Sequence, residues 1–345
     1  MGIIGKHSFE LKSKPRIVSS AAFVGKKEGE GPLGDKFDVV IKDDTLGLDS
    51  WEQAECRMFE SAIRVALFKI GRQSDELSCL IGGDLLNQIV SSGFAAREIR
   101  APFIGLYSAC STITEALMLG GMLTDAGFSQ LAACAASSHF STVERQYRYP
   151  LEMGVQPVPT SQRTVTGAGC ILVSNEDKYS ENSKQQFSHI VLTGGTMGSV
   201  EDFGITDANN MGAAMAPAAA ETIVTHLNDT GRSPDYYDLI VTGDLGKFGT
   251  EMLYELCGNK GIDISKNHND CGKLIFSEKQ NVVCGASGCG CAASVLSSYF
   301  LPMVERGEFK RILFLATGAL LSPVTTLQGE SIPCISHAVV IEHID

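Results

Sequence analysis

One unit occurs twice in this chain, and a duplication narrows the possible folds more than any composition can. Leu77-Ser-Cys-Leu-Ile-Gly-Gly-Asp-Leu85 and Tyr237-Asp-Leu-Ile-Val-Thr-Gly-Asp-Leu245 agree in residue type, which sets Asp84 opposite Asp244 at an offset of 160 (244 minus 84). Each follows an amphipathic helical stretch, Ser50 to about Phe68 and Met215 to about Leu227. Ser50 with Gln53 three residues on has the spacing of a capping box. Downstream, Cys110-Ser-Thr112 and the turn at Gly127-Phe128 parallel Gly290-Cys-Ala292 and the turn at Gly307-Glu308. Leu131–Ala136 then parallels Leu313–Gly318, and Gly167–Val173 parallels Ile335–Ile341. The offset grows to 180 at the Gly127 turn (307 minus 127), so the second copy is expected to carry an insertion near residues 249–280.

Each copy reads as helix, apolar strand, helix, apolar strand, with a last strand turning back. The strands are short, continuously apolar and bounded by Gly or Ser, as strands buried on both faces must be. Their alternation with helices predicts an α/β layered fold. Two βαβαβ-type halves, residues 1–195 and 196–345, would share one core and stack as a five-layered α-β-α-β-α sandwich. That arrangement resembles the thiolase fold.

Composition excludes several functions. The net charge of −12, with no basic run or stripe, argues against nucleic acid as a partner. The eleven cysteines lie mostly inside apolar runs, which suits a reducing compartment and small buried side chains. Cys284, Cys289 and Cys291 lack a second paired block of zinc-like spacing, so packing is expected of them and no metal. Met1–Ser8 has neither the apolar core nor the cleavage site of a signal peptide. Residues 281–304 carry no charge, but their Gly and Cys turns and Pro302 predict a buried strand–loop–helix rather than a membrane span.

The chemistry centres on Cys110, which follows the apolar run Ala101–Tyr107 and opens a helical stretch. There its sulfur would meet free N–H groups at the positive end of a helix, a setting that lowers a thiol pKa and suits acyl transfer or anion binding. The amides of Ser111 and Thr112 would line the same cavity. Condensing enzymes of the thiolase fold add a His and a second His or Asn from the other half. Here the first place holds Gly243-Asp-Leu-Gly246 and the second holds Ala286-Ser-Gly288, with neither residue type present. An ionised Asp only accepts hydrogen bonds and cannot stabilise an oxyanion. His337 is the one remaining candidate base. A binding site rather than an enzyme is therefore expected, with a Cys-dependent acyltransferase or ketoacyl synthase-like enzyme as the alternative.

Other candidates ring this position. Asp84, with Asn87 and Gln88, would form a polar wall able to recruit a cation, and His139 follows a strand end. Glu144-Arg-Gln-Tyr-Arg-Tyr-Pro150 offers two arginines and two tyrosines for a carboxylate or a ring.

Ordered blocks along almost the whole chain resemble the stage V sporulation protein AD family. They include Gly31-Pro-Leu-Gly34, Ser50-Trp-Glu-Gln-Ala-Glu55, Gly83-Asp-Leu-Leu-Asn-Gln88, Ala109-Cys-Ser-Thr112, Gly285-Ala-Ser-Gly-Cys289 and Ala316–Pro323. The resemblance implies a thiolase-like protein of endospore formers that binds dipicolinic acid (pyridine-2,6-dicarboxylate) and serves its uptake into the developing spore. It implies ligand-binding positions at Asp84, Cys110, Ser111 and His139. It also implies partners among the membrane proteins of the same sporulation operon, on the cytoplasmic side and peripheral to the forespore or spore inner membrane. No cofactor is expected, although calcium could enter as part of the ligand, since hard oxygen ligands suit it. Thiolase folds commonly dimerise by pairing the strand before the nucleophile, here residues 101–107, so a homodimer is expected.

Overall fold

The structure, a computed structural model, describes residues 2–147, 158–175 and 186–345. A hairpin of β1 (Gly2–Ile4) and β2 (Ser8–Glu10) precedes β3 (Arg16–Val24), the short helix α1 (Lys26–Gly29) and β4 (Val39–Val40). The first repeat continues with α2 (Trp51–Lys69), β5 (Cys79–Gly83), α3 (Val90–Ile99), β6 (Phe103–Gly105), α4 (Thr112–Asp125), β7 (Leu131–Ser138), α5 (Phe140–Tyr147), β8 (Arg163–Thr164) and β9 (Gly167–Ser174). The second comprises β10 (Ile190–Thr196), α6 (Met211–Thr230), β11 (Leu239–Thr242), α7 (Gly246–Asn259), β12 (His268–Asp270), β13 (Ala286–Ser287), α8 (Cys289–Val295), α9 (Leu301–Glu305), β14 (Arg311–Ala319), α10 (Pro323–Leu327) and β15 (Cys334–His343). The division drawn at 195/196 falls within β10.

The two repeats agree strand for strand. One runs β6-β5-β7-β9-β3 and the other β12-β11-β14-β15-β10. In each, the first three strands are parallel and the last two antiparallel. The two sheet layers are continuous at one edge, where the equivalent strands β3 and β10 meet through one register pair, Val191 with Arg16, and hydrogen bonding runs through thirteen strands.

Period-two alternation explains the five layers. On β9, Cys170 and Leu172 face α2 and α3, while Ile171 and Val173 face the centre. On β14, Leu313 and Leu315 face α6 and α7, while Ile312 and Phe314 face the centre. The central layer is α4 and α8, whose Ile113, Leu117, Ala292 and Val295 share one cluster with both halves. Strands buried on both faces are continuously apolar for this reason. Among the described residues no helix is long and apolar enough to cross a membrane.

Two local expectations change. Ser50 does cap α2, its hydroxyl accepting from the Gln53 amide at 3.3 Å, but Gln53 turns back to the Asp49 amide instead of closing a box on Ser50. The insertion falls at the end of its expected window and just beyond it. The offset is only 165 at β6 and β12 (268 minus 103) and reaches 180 at β7 and β14 (311 minus 131), so most extra residues follow β12. They include β13, which pairs in parallel with β8 of the first half.

Candidate functional site

Cys110 lies on a tight turn, Ala109–Ser111, between β6 and α4, and is 7% exposed at the floor of a cleft of about 340 Å³. The turn is forced into place from behind. A Cβ on Gly318 of β14 would come within 2.3 Å of the Ser108 carbonyl, so only glycine lets the two segments meet. Ala109 adopts φ 48°, a left-handed conformation that costs an L-residue about 1–2 kcal/mol.

The turn corrects the helix-terminus expectation. Its i to i+3 bonds consume the donors that were to face a ligand: the Ser111 amide donates to Ser108 at 3.2 Å, and the Thr112 amide donates to Ala109. Ser111 is fully buried, its hydroxyl held by Ser108, and does not line the cleft. Burial pushes the Cys110 thiol well above its ordinary pKa, and the nearby Asp244 and Cys289 push it further. The sulfur is a neutral thiol at physiological pH and not the activated thiolate its position suggested.

Asp244 is the residue whose importance the sequence understated. It ends β11, is fully buried, and its carboxylate accepts from the Ser287 hydroxyl at 3.0 Å, the Gly288 amide at 3.0 Å and the Thr317 hydroxyl at 3.1 Å. The Cys110 thiol lies beside this carboxyl and, with those donors, acts to lower its pKa. The segment after β11 and the segment 287–288 are thus bonded to each other, and these donors are spent inside the protein. Burial nevertheless holds the Asp244 carboxyl above its usual range against these bonds. His337 offers no replacement base: its Nδ1 accepts from the Gly198 amide at 3.1 Å, it does not line the cleft, and burial lowers its pKa to about 4.

Asp84 and His139 also lie away from the cleft. Asp84 accepts from the Leu86 amide at 2.8 Å and from the Ser92 amide and hydroxyl, both at 2.7 Å, so it fixes the turn into α3. Beside it, burial and then the Asp84 charge raise Glu55 to about 8. Burial lowers the His139 pKa, and both ring nitrogens are occupied. Its Nε2–H donates to the Asp44 carbonyl at 2.8 Å while Nδ1 accepts from the Ser141 amide at 3.2 Å, which fixes the tautomer.

The residues that do line the cleft come from both halves. Leu85, Asn87, Tyr107, Val143, Tyr147 and Thr164 belong to the first; Met211, Met215, Ser287, Gly288 and Ala319–Ser322 belong to the second. None of them carries a charge. Of the Arg/Tyr block, Tyr147 lines the cleft and Arg145 pairs with Glu52 beside Trp51, while Arg148, Tyr149 and Pro150 lie outside the described residues. Among the described residues no group of His, Cys, Asp and Glu is arranged to hold a metal ion.

The stage V sporulation protein AD family model matches residues 5–342. The chain belongs to that family. It is 41% identical over 342 residues to stage V sporulation protein AD of Bacillus subtilis (strain 168), covering 99% of this chain and 98% of that one. Its fold is shared with human mitochondrial 3-ketoacyl-CoA thiolase (TM-score 0.59, 13% identity, 99% and 100% of the two chains covered). It is shared too with 3-oxoacyl-[acyl-carrier-protein] synthase III of Aquifex aeolicus VF5 (TM-score 0.56, 12% identity, 95% and 99% covered). Identities this low carry the thiolase-like fold and nothing of the chemistry.

Proposed function

We propose that this chain binds dipicolinic acid as its calcium chelate in the cleft over Cys110, without turning it over, and serves its uptake into the developing endospore. The observation that carries this is the absence of charge among the described residues that line the cleft, which sits above a neutral thiol. Burying an uncompensated dianion there would be costly, whereas a one-to-one chelate with Ca²⁺ has no net charge. The faces of Tyr107 and Tyr147 and the thioethers of Met211 and Met215 suit a planar ring. Asn87, Thr164 and Ser322 supply neutral oxygens, a kind of ligand calcium accepts. Asp84 lies outside the cleft and does not repel the ligand's carboxylates there.

The same proposal places the protein beside membrane proteins of its sporulation operon, on the cytoplasmic face of the forespore membrane, as a homodimer. Membership of the family supports the setting. The dimer is supported by β6, a terminal strand with Ile104 39% exposed and one edge unpaired among the described residues. Titration calorimetry with dipicolinate, with and without equimolar calcium, tests the binding. Saturable heat with the chelate and weaker heat with the free dianion is expected; no saturable binding to folded protein up to millimolar ligand refutes it. Acyl transfer through Cys110, the alternative that the shared fold raises, predicts a covalent adduct on incubation with acyl-coenzyme A. Intact-protein mass spectrometry should show none.

A further inference from the structure

Tyr107 stands at the mouth of the cleft, 52% exposed, above the buried Cys110. Its hydroxyl donates to Asn87 Oδ1 at 3.0 Å and lies 3.3 Å from the Tyr147 hydroxyl. Tyr147 in turn donates to the Leu85 carbonyl, and the Asn87 amide donates to Gln146 Oε1 at 3.0 Å. These contacts join three separate elements at one rim: the turn after β5, the connection between β6 and α4, and the C-terminal end of α5. The turn they hold is strained, for Gln88 and Ile89 are consecutive non-glycine residues at φ 59° and 47°.

We propose that Asn87, Tyr107 and Tyr147 form a latch across the cleft, and that the 85–89 turn must part from Tyr107 before a molecule passes between solvent and Cys110. Hydrogen bonds hold the turn in a conformation its backbone disfavours, so breaking them lets it relax outward. Tyr107 and Asn87 are the residues that set the rate and the size limit of entry. The inference takes the cleft as the ligand site proposed above, but its test needs no ligand, because Cys110 is a built-in reporter.

The full chain is treated with N-ethylmaleimide at fixed pH, and labelling of each cysteine is followed by peptide mass spectrometry. Tyr107→Phe removes the hydroxyl from the latch and should speed Cys110 labelling about fivefold, the population shift expected from one lost hydrogen bond. Gln88→Gly changes an exposed side chain and relieves the left-handed backbone, so it should favour the closed turn and slow labelling roughly threefold. Cys134, fully buried in β7, should stay unlabelled in both, which separates opening of the latch from unfolding. An unchanged Cys110 rate in folded Tyr107→Phe, no slowing in Gln88→Gly, or Cys134 rising in step with Cys110 overturns the latch. If the wild-type chain fails to bind the chelate while the labelling shifts appear, the latch stands and the ligand assignment falls.

Discussion

Replacing Asp244 by alanine removes a single acceptor from several buried donors at once, and the cost can be worked out from their geometry. The Gly288 amide is fixed by the backbone and has nowhere to turn; leaving such a donor orphaned costs about 1–3 kcal/mol. The Ser287 and Thr317 hydroxyls can rotate toward other acceptors, so each should lose no more than about 1 kcal/mol. Against this stands the relief of no longer burying an acid whose pKa burial has raised. A net loss of about 2–4 kcal/mol is expected, read as a lower urea midpoint at pH 7. Asp244→Asn keeps one oxygen for Gly288 and offers its NH₂ to the Thr317 oxygen, so it should cost only about 1 kcal/mol. Both substitutions remove the carboxylate that keeps Cys110 protonated. The pH profile of Cys110 alkylation should therefore move to lower pH while staying above that of an ordinary thiol, because burial, the larger cause, remains. A loss below about 0.5 kcal/mol in Asp244→Ala, within the range of an ordinary surface change, or an unmoved alkylation profile would refute this account of the cleft floor.

Glu28 is buried and raised to about 7, so the folded state keeps a proton that the unfolded chain releases near its ordinary 4.5. The Glu28 contribution to stability should fall by about 3 kcal/mol as pH rises from about 4.5 to 7 and be level above, so the difference between wild type and Glu28→Gln in paired urea titrations at pH 4.5 and 8 should change by that amount; an unchanged difference refutes it. Ala109→Gly should raise stability by about 0.5–1 kcal/mol, read as a higher urea midpoint, since glycine adopts φ 48° without the steric cost; a loss would show that the Ala109 methyl matters more than its backbone. Light scattering at tens of micromolar should report a dimer, and Ile104→Lys, which sets like charges facing each other across the β6 edge, should yield a folded monomer; a monomeric wild type would dispose of edge pairing.

The layered fold was legible because strands buried on both faces leave continuous apolar runs, and because the duplication fixed their order. Residues 131–136 and 313–318 illustrate it: both runs lie within β7 and β14, the middle strands of their halves. The site was legible only in part. Cys110 announced itself through strand, cysteine and helix in succession, but the 3₁₀ turn that spends the neighbouring amides leaves no trace in residue types. Asp84 and His139 sit at strand ends, where cleft residues gather, yet each faces its own half. The partner of His139 is the Asp44 carbonyl, 95 residues away and invisible to any local pattern. Asp244 was noticed for what it cannot do as a donor; the donors it gathers come from two other segments that meet it only in the folded chain. Tyr107 closed an apolar run and drew no attention, while Met211, Met215 and the stretch 320–322 reach the cleft through tertiary folding alone.

The late insertion gives the duplication an asymmetric outcome. Two matched repeats could in principle enclose two matched cavities. Yet β13, within the extra segment, reaches back to β8 of the opposite repeat and delivers Ser287 and Gly288 to Asp244. Asp84, the twin of Asp244, has no such visitor and secures the start of α3 instead. The added length breaks the symmetry of the ancestral pair. One copy of a shared position became scaffold, and the other became the floor of the cleft over Cys110.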